Sequence, residues 1–154
     1  MNIWFNKELS VDHLHQPGKD TMSEFLGIEW AEIGDNFLKA KMPVDHRTKQ
    51  PAGLLHGGAS VALAESLGSI ASALCLKDES TMPVGIEINA NHLKSAQQGF
   101  VIGTVKALRL GKNLHVWNIE IQDEKNDLIC VSRLSVMIVP RKQAKAIELS
   151  PAQK

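Results

Sequence analysis

The chain has 154 residues but only two cysteines, and it has no excess of either charge. Cys75 and Cys130 lie far apart, each inside an apolar segment where a free thiol behaves as a small hydrophobe. A disulfide framework is therefore not expected, and a reducing, cytoplasmic compartment fits best. Seventeen basic and seventeen acidic residues cancel, which removes any global field for nucleic acid or an anionic membrane surface. Any anion site must be local. The longest uncharged stretch, from Gln50 to Ala64, is rich in glycine and histidine and falls short of the about 20 apolar residues that cross a bilayer. The opening residues MNIWFNKELS lack a basic segment followed by an apolar run and a small-residue cleavage site, so export is not expected. There is no internal repeat. The six histidines are scattered, with only His13 and His15 at close spacing, and no metal site is expected.

What is present fits one domain, long enough to bury about two-thirds of the surface its unfolded form exposes. Lys7 to Gln16 reads as a short amphipathic helix with Leu9, Val11 and Leu14 on its apolar side, and Thr21 to Leu26 as another turn of helix ended by Gly27. Ile28 to Val44 is an extended hairpin broken at Gly34, Asp35 and Asn36. After a long helix beginning at Gly57, four strands are expected at Met82 to His92, Val101 to Leu110, Leu114 to Gln122 and Leu128 to Val139. Trp117, Ile119 and Ile121 alternate with polar neighbours, the period of a sheet with one buried face. Turns at residues 111–113 and 124–127 make neighbouring strands antiparallel. The sum is an α+β domain over residues 1–139, with 140–154 a tail expected to be mobile or weakly helical.

The long helix, GGASVALAESLGSIASALCL, reads as buried and carries a single charge. An isolated carboxylate among small apolar residues costs several kcal/mol unless it is paired, solvated or used, so Glu65 is the first candidate for chemistry. Gly57 and Gly58 open the helix and leave its first N–H groups uncovered, where a carbonyl oxygen or anion can dock. Gly57 and Glu65 are eight residues apart, about 12 Å along the axis. They cannot flank one reacting atom within one chain, whereas two antiparallel copies of the helix can bring Gly57 of one to Glu65 of the other. A catalytic reading implies a homodimer with composite sites.

The segment QPAGLLHGGASVALAESLGS, with MPVDHRT before it and VGIEINANHLKSA and LGKNLHVW after it, resembles the hot-dog-fold acyl-CoA thioesterases. The likeness covers Trp4 to Val139 and leans toward the bacterial branch acting on aromatic acyl-CoA, which includes 1,4-dihydroxy-2-naphthoyl-CoA hydrolases of menaquinone biosynthesis and enterobactin-pathway proofreading thioesterases. The resemblance implies an antiparallel sheet wrapped around one central helix. It implies a catalytic set in which Glu65 attacks the thioester carbonyl or activates water, and Gly57 polarises that carbonyl through its N–H. Gln50 and His56 match the polar pair beside the thioester, and Ser69 could hydrogen-bond the carboxylate or the water. Coenzyme A, part of the substrate and not a cofactor, would be held by Gly85, by His92, Leu93, Lys94 and Ser95, and by Arg109, Leu110, Gly111, Lys112, Asn113 and Leu114. Lys94 and Lys112 keep a positive charge but lack the bidentate fork of arginine. A dimer of dimers is implied as well.

Plainer readings exist for several of these residues. His56 could be only a contact at the helix N-terminus, Gln50 an ordinary loop residue, His92 a structural histidine, and Asp45, His46 and Arg47 mere loop solvation. The same fold can serve as a non-catalytic acyl-CoA sensor, but the first 25 residues are too short for a DNA-binding output domain. It can also serve as an acyl-thioester dehydratase or isomerase; a lone Glu after HGG argues for hydrolysis instead. Val61, Leu63, Ser66 and Leu67 are helix positions from which an acyl pocket could be built.

Overall fold

The computed structural model describes residues 1–14, 20–77 and 80–141. Six strands form a single antiparallel sheet: β1 (Glu29–Ile33), β2 (Phe37–Pro43), β3 (Thr81–His92), β4 (Phe100–Leu110), β5 (Leu114–Asp123) and β6 (Leu128–Pro140). Their spatial order is β1-β2-β4-β5-β6-β3. The hairpins at 34–36, 111–113 and 124–127 fall where the turn residues predict, and each strand lies within one residue of its expected span. The 12-residue β3 reaches the far edge of the sheet, where it pairs with β6.

Helix α2 (Gly57–Leu74) lies across the concave face of this sheet. Its buried residues, including Ser60, Leu63, Ala64, Leu67, Gly68, Ala71 and Ser72, recur at three- and four-residue spacing, the stripe of a helix with one covered side. Small residues allow the sheet to close in. A Cβ on Gly68 would stand 2.4 Å from Leu134 Cδ2, and one on Gly103 of β4 would stand 2.5 Å from Leu67 Cδ1. Trp117, fully buried on β5, fills the space near the end of α2 and donates its indole N–H to Ser72 Oγ at 2.7 Å. Register shifts at Gly85/Glu87 in β3 and Ala107/Arg109 in β4 are β-bulges, which bend strands and raise their twist. They help the sheet curl about the helix, giving the antiparallel sheet wrapped on one long helix that defines the hot-dog fold.

Three expectations need correction. Residues 7–14 are not an α-helix: only a 3-10 turn, Val11–Leu14, forms there, burying Leu14, the segment before it is held by tertiary bonds, and residues 15 and 16 of the expected helix lie outside the described residues. Trp4 is buried and its indole N–H donates to Gly34 O at 2.6 Å, while Phe5 N–H donates to Leu74 O at 2.9 Å. These tertiary bonds outweigh a weak local helical preference. The long helix stops at Leu74 with Cys75 as its C-cap, so Leu76 lies outside it. Nor is the helix buried all round, because the sheet covers one side and leaves the face bearing Val61, Glu65 and Ser69 partly open. Turn α1 (Met22–Phe25) does form as predicted, capped by the Thr21 side chain and ended by Gly27 at φ +71°. The expected tail lies outside the described residues, apart from Pro140 and Arg141. No helix among the described residues is long and apolar enough to cross a membrane.

Candidate active site

The N-terminus of α2 is built by two loops stitched together. Leu55 N–H donates to Ala96 O and His56 N–H to Thr48 O, both at 2.8 Å. Thr48 is buried and its hydroxyl donates to Pro43 O at 2.7 Å. The Asp45 to Arg47 cluster is more than solvated loop: Arg47 Nη2 donates to Asp45 Oδ2 at 2.7 Å and Arg47 Nε to Oδ1 at 3.1 Å. This bidentate pair holds the Asp45 carboxyl down at about 2. The clasp fixes the approach of the chain to Gln50 and His56.

His56 is the N-cap of α2. Its extended backbone (φ −70°, ψ 132°) starts the helix, and its Nδ1 accepts the Gly58 N–H at 2.8 Å. In the neutral ring the proton must then sit on Nε2, which is left to serve as a donor. Its carbonyl accepts Ala59 N–H at 2.9 Å and Ser60 N–H at 3.3 Å. Of the four N–H groups that open any helix without an i−4 partner, those of His56, Gly58 and Ala59 are satisfied, by Thr48 O, His56 Nδ1 and His56 O. The Gly57 N–H has no partner among the described residues. It is one free donor at the positive end of an 18-residue helix, directed by the dipole toward an electron-rich oxygen.

Around it lies a cleft of about 570 Å³ whose lining includes Gln50, Leu54, Ser60, His92, Lys94 and Ile129 beside His56 and Gly57. A Cβ at position 57 would stand 2.8 Å from His92 Nε2, so any larger residue there displaces that exposed imidazole. Gln50 Oε1 accepts Ala52 N–H at 2.8 Å, and the side-chain amide donates to nothing among the described residues. Leu93 and Lys94 are set by N–H bonds to Ile129 O at 2.8 and 3.3 Å, and Leu93 and Ser95 are exposed at the rim.

Glu65 is elsewhere, on the open face of α2, half-buried. Desolvation raises its pKa above the ordinary carboxylate value, and a hydrogen bond donated by Ser69 Oγ at 3.3 Å partly opposes that rise. Gly85 admits it: a Cβ at Gly85 would stand 2.2 Å from Glu65 Oε1. The bulge in β3 falls at this glycine. Because only the ionised carboxylate can attack or take a proton, activity should rise with pH through the raised pKa of Glu65. Ser69→Ala, which removes the one interaction lowering that value, is expected to move the acid limb of the kcat/KM profile to higher pH; an unmoved limb would refute the role given to Ser69.

Residues grouped from the sequence as one coenzyme A site are therefore separated within the chain. His92 pairs with Cys130, whereas Leu114 pairs with Met137 and Met137 with Val84. The turn from Arg109 to Leu114, with Leu110, Gly111, Lys112 and Asn113, is thus level with Gly85 and Glu65, roughly 25 Å along β3 from His92 to Ser95 at about 3.3 Å per residue. Gly85 itself faces the carboxylate. Among the acyl-pocket candidates, Leu63 and Leu67 are fully buried under the sheet and unavailable to a ligand. Val61 and Ser66 remain partly exposed, the latter's Oγ lying 3.2 Å from Ser23 Oγ of α1. Sequence reasoning missed two features: Ser60 in the cleft wall, and Asp127, whose carboxylate takes the Lys94 ammonium. The lysine's partner is 33 residues away, with no local spacing to reveal it.

A hot-dog domain with a free N–H and histidines at the helix start, and one carboxylate eight residues on, has the parts of a thioester hydrolase. Comparison with known proteins gives the same class. Residues 52–130 match the Thioesterase superfamily. A 1,4-dihydroxy-2-naphthoyl-CoA hydrolase of Escherichia coli (strain K12) is 53% identical over 137 residues, 89% of this chain and 99% of that protein. A proofreading thioesterase, EntH, of Cronobacter turicensis is 45% identical, covering 89% of this chain and 98% of that protein. The crystal structure of a thioesterase of Pseudomonas aeruginosa superposes with a TM-score of 0.87 at 41% identity, covering 91% of this chain and 100% of that one. The chain belongs to the thioesterase superfamily and is a thioester hydrolase.

Proposed function

We propose that the chain hydrolyses the CoA thioester of an aromatic acid, of which 1,4-dihydroxy-2-naphthoyl-CoA and benzoyl-CoA are the first to test, releasing free acid and coenzyme A. The observation that carries this reading is the unpartnered Gly57 N–H at the mouth of the cleft. The thioester oxygen accepts from Gly57, where charge develops as the carbonyl carbon becomes tetrahedral. Glu65 supplies the attack, by bonding to that carbon or by taking a proton from a water that does. As the C–S bond breaks, His56 Nε2–H can stabilise or protonate the leaving thiolate, and Gln50 can orient the thioester or the water. No cofactor is needed for these steps. The relatives named as a 1,4-dihydroxy-2-naphthoyl-CoA hydrolase and a proofreading thioesterase support the reaction class, and the former alone supports an aromatic acyl group and a place in menaquinone biosynthesis.

The Glu65 that meets Gly57 belongs to a second copy, since the two are about 12 Å apart on one helix. Pairing two open α2 faces antiparallel would bury the half-exposed carboxylate and bring the Arg109 to Leu114 turn of one copy toward the Lys94 rim of the other. The working unit is then a homodimer, assembling further as a dimer of dimers. Free Cys75 and Cys130 accord with a reducing cytoplasm. Thiol release from naphthoyl-, benzoyl-, phenylacetyl- and straight-chain acyl-CoA tests the acyl preference. Faster turnover of the aromatic thioesters is expected, and preference for straight chains would overturn it.

A further inference from the structure

Lys94, at the cleft rim, is already taken. Its ammonium donates to Asp127 Oδ2, with the two side chains 52% and 47% exposed. This contact is built into the fold from both sides. Asp127 sits at the end of the β5–β6 turn, where its N–H donates to Asp123 Oδ1 at 2.9 Å, its carbonyl accepts Asp123 N–H at 3.0 Å, and Asn126 takes φ +65°. Lys94 is tied by its own N–H to Ile129 O, two residues beyond Asp127. Asp123 adds a second negative charge toward Lys94, and Lys125 a positive one toward Asp127. The rim is therefore close to neutral, not a basic patch.

Building on the reading of the cleft as a coenzyme A site, we propose that Asp127 is a specificity-determining residue, a resident counter-ion that a substrate phosphate must displace from Lys94. An ammonium is a point charge with rotatable donors, able to exchange a carboxylate for a phosphate oxygen without moving the backbone. Each exchange forfeits the existing pair and brings the phosphate near two carboxylates. The consequence is restrained affinity for the nucleotide end, of substrate and released coenzyme A alike, while a thioester without phosphate is indifferent to Asp127.

The test compares an acyl-CoA with the matched acyl-pantetheine, which has no phosphate, in the unsubstituted protein, Asp127→Asn and Asp127→Asn/Lys94→Ala. Asp127→Asn should lower KM for acyl-CoA, and the Kd of coenzyme A by calorimetry, by about two- to fivefold, the range of an exposed ion pair. The pantetheine KM should not move, and the gain should vanish in the double variant and shrink at 1 M salt, where screening acts within about 3 Å. An acyl-CoA KM that is unchanged or raised, or an equal change for both substrates, overturns the proposal. Failure of the unsubstituted protein to hydrolyse either thioester would instead overturn the underlying substrate reading.

Discussion

Glu65→Gln is expected to lower kcat by about 10²–10⁴-fold, the usual contribution of a positioned acid–base group, without loss of the fold. Both halves follow from where the carboxylate sits. It lies on the open face of α2 against Gly85, with Ser69 as its hydrogen-bond donor, and an amide of the same shape can accept that bond. Desolvation raises the pKa of Glu65, so the folded state favours its protonated form. The stability linked to the group is complete below the ordinary carboxylate pKa and lost as pH rises through the raised one. At neutral pH the uncharged amide removes that cost. The melting temperature of Glu65→Gln should match or exceed that of the unsubstituted protein. Steady-state thiol release with a thermal melt checks the pair of outcomes: retained turnover removes Glu65 from the chemistry, and a collapsed melt makes it structural.

The carboxylate was conspicuous in the sequence because a charge in a run of alanine, serine, glycine and leucine is an energetic exception. Strand positions were legible for a related reason: period-2 burial on β5 and short turn motifs leave few alternative registers. What the sequence hid were long-range pairings. Nothing near Thr81 tells that β3 will cross to the far edge and pair with β6, and so the Arg109 to Leu114 turn could not be placed relative to His92. Local propensity misled at residues 7–14, where the buried Trp4 and the bond from Phe5 to the end of α2 anchor the preceding chain and only a 3-10 turn forms. The role of His56 as N-cap was legible only as an alternative, because capping depends on which ring nitrogen turns back to Gly58. That geometry leaves Gly57 as the one donor of the first turn without a partner among the described residues, a conclusion no count of glycines could reach.

Gly57→Pro tests that donor directly, since proline deletes the N–H while suiting the first position of a helix. The preceding residue is ready for it: His56 has the extended φ and ψ that proline requires of its neighbour. Gly57→Ala is the control, because it keeps the N–H but adds the Cβ that crowds His92 Nε2. Loss of one oxyanion donor is worth about 10²–10³-fold in kcat, so the proline variant should fall that far below the alanine variant; equal losses would mean that crowding alone acts. The same variant, joined with Glu65→Gln, reports on the assembly. If a site takes Gly57 from one copy and Glu65 from the other, each variant alone is inactive, whereas a mixed dimer holds one intact site and one doubly damaged one. Random pairing of equal amounts makes half the dimers mixed, so about a quarter of full activity should return after subunit exchange. A single-chain site could never recover in this way. Mixed dimers seen by native mass spectrometry but without activity would refute the composite site.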